Sequence, residues 1–140
     1  MKGISGLNDL NRAIFNTLAT DEWLKTHNVN VYSDVNKDNT FPYIVLGENA
    51  PDNTQGSTYW NETQIITLHA YTQTTKSKTL DILDRVSFLC HEKFDLPHHI
   101  IEYSGVWKSP VAFDDLDQFT KHGVVQMKYK IKNKVLYREE

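Results

Sequence analysis

Phe41-Pro42-Tyr43-Ile44-Val45-Leu46-Gly47 reads as an apolar strand entered through a proline. Proline has no N–H to give to a ladder, so Pro42 belongs at a strand start or on a sheet edge. A polar segment follows, Glu48 to Trp60, and then a second strand, Glu62 to Thr72. In that second strand Ile66, Leu68 and Ala70 face one way, and Thr67, His69 and Tyr71 the other. A period of two with this composition means one buried face and one partly wet face.

Working outward from these two strands, helical periodicity appears on both sides. Leu7, Leu10, Ile14 and Leu18 recur at spacings of three and four, which predicts an amphipathic helix ending near Ala19. Asp21 can cap a short extra turn carrying Trp23 and Leu24. Asn28 to Ser33 alternates as a short strand, and Asp34 to Asn39 is a polar turn cluster. Beyond the second strand, Thr75 or Ser77 can cap a helix through Leu80, Leu83, Val86 and Phe94, with Asp81 and Arg85 as an i,i+4 pair on its outer side. Pro97 ends that segment, and Ile100 to Val106 is a strand in which Gly105 marks a bulge. Asp114 to Asp117 is an acidic loop. In the last strand Val125, Met127, Tyr129 and Ile131 alternate with Gln126, Lys128, Lys130 and Lys132.

The predicted order is α-β-β-β-α-β-β. It defines an α+β fold, a mainly antiparallel sheet of about five strands with two helices on one face. With 140 residues and no internal repeat or dividing linker, residues 1–140 read as one domain. A chain of this length buries roughly 68–70% of its unfolded surface. Apolar residues make up 39%, yet there are three Trp, seven Tyr and six Phe, so disorder is not expected.

Net charge is -3, which argues against a general binder of nucleic-acid phosphates. The single cysteine leaves no intrachain disulfide or Cys-based zinc site to form. The first residues lack the apolar core of a signal peptide, and no apolar run approaches the ~20 residues that span a bilayer. The expected location is the cytoplasm, with no membrane contact.

Candidate sites resolve mostly into ordinary structure. Asp34, Asn36 and Asp38 copy the opening ligands of a calcium loop, but Asn39 stands where the turn glycine should be and Val45 where the bidentate Glu should be. His98 and His99 are adjacent, so on a strand their side chains point to opposite faces, and Cys90 and His91 diverge likewise. Zinc wants three or four convergent ligands. Cys90 sits on the apolar face of its helix without a neighbouring cation to activate it. No nucleophile elbow, phosphate loop or dinucleotide turn is present. The pairs Asp114/Asp115 and Glu139/Glu140 lack apolar surroundings that would raise a carboxyl pKa. No cofactor, metal or catalytic residue is therefore expected.

Three features invite partners. Lys128, Lys130 and Lys132 form a basic stripe that reads as a solvated face guarding an exposed edge. The alternative is a contact with an acidic neighbour or with passing DNA. The segment Glu48 to Trp60 exceeds the length of most ordered connections. Glu48, Asp52, Asn53 and Gln55 are polar, while Tyr59 and Trp60 offer anchoring area of the kind interfaces favour. Asp114, Asp115 and Asp117 are a second candidate contact loop. Both a binding loop that orders on assembly and a plain flexible loop are compatible with the longer segment.

The sequence of features (first helix, Phe-Pro-Tyr-Ile-Val-Leu-Gly strand, long polar segment, strand Thr63 to Tyr71, helix Leu80 to Leu89, terminal hairpin) resembles the tail-terminator proteins of long-tailed bacteriophages. These siphovirus proteins are also called tail-completion or tail-to-head joining proteins. The resemblance covers roughly Leu7 to Lys134 and includes no catalytic signature. It implies a structural, non-enzymatic protein that assembles as a six-fold ring, caps the tail tube, stops its polymerisation and meets a head-side connector or stopper protein. It further implies that DNA passes through the ring unread, and that the protein leaves the host cytoplasm in the virion, at the head-tail junction. A head-closure or adaptor protein of the same particle is the nearest alternative. A small cytoplasmic enzyme or ligand-binding domain is the alternative of another class.

Overall fold

The computed structural model of the chain describes residues 6–33, 39–51 and 61–133, with 48–51 and 133 described through their backbone. Its elements run α1 (Gly6–Ala19), α2 (Glu22–Thr26), β1 (Asn30–Tyr32), β2 (Tyr43–Pro51), β3 (Asn61–Thr72), α3 (Lys76–Cys90), β4 (His99–Asp114) and β5 (Lys121–Asn133). The five strands form one mixed sheet in the order β1-β2-β3-β5-β4. This is the expected α+β class, with α2 as an added helix. The expected loop Asp34 to Asp38 lies outside the described residues.

Local chemistry sets the boundaries. Asp21 caps α2 by accepting the Leu24 N–H at 3.1 Å. That helix ends as Val29 N–H donates to Leu24 and Asn28 N–H to Lys25, with Asn28 at φ 58. Asn is one of the few side chains that tolerates this left-handed stop. Thr75 caps α3 by accepting the Lys78 N–H. The peptide bond into Pro42 is cis, and β2 begins at the next residue.

Three sequence expectations are refined in the sheet. β1 pairs with β2 in parallel, Val31 opposite Ile44, which makes the mainly antiparallel sheet a mixed one. β2 does not stop at Gly47: a register shift between Leu46 and Asn49 admits one extra residue, and the strand continues to Pro51. A bulge of this kind reverses which face each following residue takes, so Glu48 to Pro51 read as loop. β4 continues past Val106 to Asp114 by pairing with β5, and three register shifts break the alternation that would have shown it.

All three helices cover one face of the sheet. Leu10, Ile14 and Leu18 of α1, Leu24 of α2 and Ile82, Leu83 and Val86 of α3 meet Ile44, Ile66, Leu68, Val125, Met127 and Ile131 in a single core. Fully burying one such side chain contributes about 1.5–3 kcal/mol. Gly123 lets α3 approach closely: a Cβ there would stand 2.6 Å from Leu83 Cδ1.

The Tyr129 hydroxyl, buried in this core, donates to the Cys90 carbonyl at 2.7 Å and satisfies the end of α3. Tyr129→Phe should therefore cost about 1–2 kcal/mol in a urea titration with an unchanged slope. A variant as stable as the parent would show that another donor reaches that carbonyl.

Candidate assembly surface

The second sheet face carries no helix among the described residues. Across it runs a row of rings contributed by all five strands. Tyr43 of β2, Tyr71 of β3, His122 of β5 and Phe113 of β4 stand in register, each opposite the next. Tyr32 of β1 meets Tyr43 edge-on at 5.7 Å. Tyr43 and Tyr71 stack at 5.0 Å, Tyr71 and His122 at 4.3 Å, and Phe113 lies 4.8 Å from His122. Aromatic pairs at such spacings add about 0.5–1.5 kcal/mol each beyond burial. His69 Nδ1 is 2.7 Å from His122 Nε2, and its ring lies over Gly47, where a Cβ would stand 2.5 Å away. Burial raises the Tyr43 hydroxyl above its ordinary pKa, with Asp115 and Tyr32 adding to the effect.

Towards β4 the face becomes exposed and apolar, through Ile100, Tyr103, Val111 and Phe113. The β4–β5 turn completes this surface. Leu116 is 98% exposed and Phe119 75%. An isolated exposed leucine needs no explanation, but two large apolar groups at a turn beside an exposed strand make this the candidate contact surface.

The aspartates of that turn serve its geometry. Asp114 forms ion pairs with Lys121 at 2.8 Å and Lys76 at 3.9 Å. The Lys121 hydrogen bond holds its carboxyl below the ordinary range. Asp117 accepts from the backbone N–H groups of Phe119 and Thr120 and from the Thr120 hydroxyl, and the Thr120 N–H is the main reason its pKa is lowered. Asp115 accepts the Leu116 N–H. The sequence drew attention to the three acids, whereas what the turn presents outward is Leu116 and Phe119. The signal was present as two apolar residues inside an otherwise polar loop.

Of the other expected contact residues, Glu48 lies on β2, while Asp52, Asn53, Gln55, Tyr59 and Trp60 lie outside the described residues. His98 and His99 do not diverge. Both Nδ1 atoms reach the Asp9 carboxylate, at 3.2 and 2.8 Å, because His98 precedes β4 and escapes strand alternation. Arg85 turns from Asp81 to Asp21, which it grips through Nε at 3.0 Å and Nη2 at 2.7 Å. Among the described residues no three His, Cys, Asp or Glu groups converge as for a metal ion. Burial pushes the Cys90 thiol up to about 12, far from a reactive thiolate. No helix among the described residues is long and apolar enough to cross a membrane.

A cleft of about 630 Å³ opens beside α2 and the first turns of α3, lined by Trp23, His27, Phe41, Pro42, Lys78 and Asp81 among others. The Trp23 and His27 rings stack there at 3.9 Å.

The described residues thus form a mixed five-stranded sheet with helices on one face and two exposed apolar side chains at the β4–β5 turn. No family model matches the sequence, and no curated protein does. Solved structures do share the fold. A chain in the virion of a native gene transfer agent particle is similar with a TM-score of 0.77 at 12% identity, over 90% of this chain and 96% of that one. Bacteriophage SPP1 gp17 protein is similar with a TM-score of 0.54 at 24% identity, over 92% of this chain and 93% of that one. At these identities the common property is the fold.

Proposed function

We propose that this chain is a structural protein of a bacteriophage-type particle. In this reading it forms a ring on the end of the tail tube, stops tube polymerisation and joins the tail to a head-side connector. The observation that carries it is the fold itself, shared over nine-tenths of the chain with a component of a gene transfer agent virion. The exposed turn carrying Leu116 and Phe119 supplies what a ring subunit needs, an apolar surface open to a neighbour. Its partners are then further copies of itself, a tail tube protein and a connector or stopper protein. DNA passes through without being read, and the protein resides in the virion at the head-tail junction. The segment 48–60 and the turn at Asp114, Asp115 and Asp117 make intersubunit or axial contacts in this reading.

Native mass by light scattering over a concentration series, with images of the largest species, tests the proposal. A hexamer-sized ring with a central hole is the expected result. The cleft beside α2 favours one second reading, a binding domain for a small ligand. A monomer at every concentration, also in the presence of tail tubes, would turn attention to that cleft.

A further inference from the structure

The basic stripe on β5 has no edge to guard. β5 lies between β3 and β4, in the interior of the sheet, so the edge-protection role expected for its lysines falls away. Lys130 and Lys132 are exposed on the helix-free face, opposite Tyr103 and Ile100 of β4, both of which are exposed as well. Lys108 stands nearby on β4, 5.0 Å over the Trp107 ring. Lys130 and Lys132 are thus cations beside an apolar margin, with the exposed Glu102 lying on β4 between its two apolar residues.

On the opposite side of the same layers, α3 presents the complement. Its inner side is Thr79, Ile82, Leu83, Val86 and Cys90. At 100° per residue, the side facing away from the sheet is Ser77, Asp81, Asp84 and Phe88. Phe88 is 63% exposed. The nearest cation on this helix, Arg85, is neutralised by Asp21 while its guanidinium lies 5.2 Å over the Phe88 ring. Lys78 and Asp81 both stand at the margin of the cleft, Lys78 farther round the helix from Phe88 than Asp81. Both Asp81 and Asp84 are exposed, and neither has an ion pair among the described residues.

We infer that the outer side of α3 in one copy docks on the Lys130/Lys132 face of the next copy, with Phe88 set against Ile100 and Tyr103. Charge complementarity selects a second copy as the occupant: two exposed lysines on β5 would meet two exposed aspartates one turn apart on α3. The two surfaces lie on opposite sides of one helix-on-sheet stack. Contact between them is heterologous, and repeated contact of this kind closes a ring or extends a filament. The inference rests on the ring reading and names the surfaces that make it.

Charge swapping tests it. Lys130→Glu with Lys132→Glu, and separately Asp81→Lys with Asp84→Lys, should each weaken assembly at least tenfold in concentration while thermal melting of the monomer stays unchanged. All four substitutions in one chain leave the formal net charge at -3 and should restore assembly. Raising the salt to about 1 M, where the Debye length is about 3 Å, should weaken wild-type assembly. If the wild type assembles but neither reversal matters, or the four-fold variant fails to recover, this docking is wrong and the ring reading stands. A wild-type monomer at all concentrations, also in the presence of tail tubes, overturns both. Loss of duplex DNA binding on Lys130→Glu/Lys132→Glu, with the ring intact, assigns the lysines to nucleic acid and overturns the inference.

Discussion

Asp9→Ala is expected to cost about 3 kcal/mol of folding stability and lower the melting temperature by about 10 °C. Asp9 is 5% exposed on α1, and its carboxylate joins that helix to the start of β4. It accepts from the His98 backbone N–H at 3.1 Å, the His98 ring at 3.2 Å and the His99 ring at 2.8 Å. A carboxylate only accepts, so the histidine Nδ1 atoms in these bonds carry hydrogen. Alanine would strand the His99 donor at a position with no solvent exposure of its side chain. An orphaned buried donor costs about 1–3 kcal/mol, and the weakened His98 contacts add to that. Asp9→Asn, which keeps one accepting oxygen, should lose about half as much. Urea titration of the three proteins measures the difference, and an alanine variant within 0.5 kcal/mol of the parent would refute this account.

Acid should act through the same group. Burial would raise the Asp9 pKa, but the hydrogen bonds from His99 and His98 outweigh it, and the folded value lies below 3.8. Asp21 is lowered chiefly by its hydrogen bond to Arg85. For a carboxylate with a depressed folded pKa, the stabilisation is complete above the unfolded pKa and is lost as pH falls through the folded one. These two groups therefore contribute fully above about pH 4 and unload below it.

Leu116→Asp combined with Phe119→Asp should leave folding within about 0.5 kcal/mol of the parent and weaken assembly by about 100-fold or more. The asymmetry follows from the turn. Its geometry is held by Asp115 and Asp117, which the variant keeps. The two replaced side chains bury little in the free chain. Concentration-dependent light scattering and thermal melting, run side by side, separate the effects. Unchanged assembly would remove the hairpin tip from the interface. Reversing the charge of Asp117 would be a poorer test, because its carboxylate accepts three hydrogen bonds within the turn.

What was legible in the sequence was whatever repeats locally. The three- and four-residue spacing of Leu10, Ile14 and Leu18, the alternation of Val125 to Ile131, and the caps Asp21 and Thr75 each report on neighbours a few residues away. What escaped depends on distant partners or on broken periods. Nothing in Asn30 to Tyr32 shows that its strand runs parallel to Tyr43 to Val45. The shifts around Val106, Lys108 and Val111 scramble the alternation that would have extended β4. Asp9 finds His98 and His99 across some ninety positions, and Arg85 finds Asp21 across 64. Leu116 was hidden differently: set among aspartates, it looked like part of a solvated loop, and only the backbone of the turn shows which side chains point out.

The placement of β5 between β3 and β4 also governs when the protein can fold during synthesis. β3 and β4 are made first, and neither has the other as a neighbour. Until residues 121–133 leave the ribosome, Leu68 lacks Val125 and Ile101 lacks Ile131, so the central sheet has a slot rather than a ladder. At about 5–20 residues per second, the chain spends its translation without a complete sheet and acquires one only when its last described strand inserts. The Lys130 and Lys132 surface, carried on that strand, comes into being at the same moment as the fold that displays it. A nascent chain therefore has no such surface to offer a finished copy nearby.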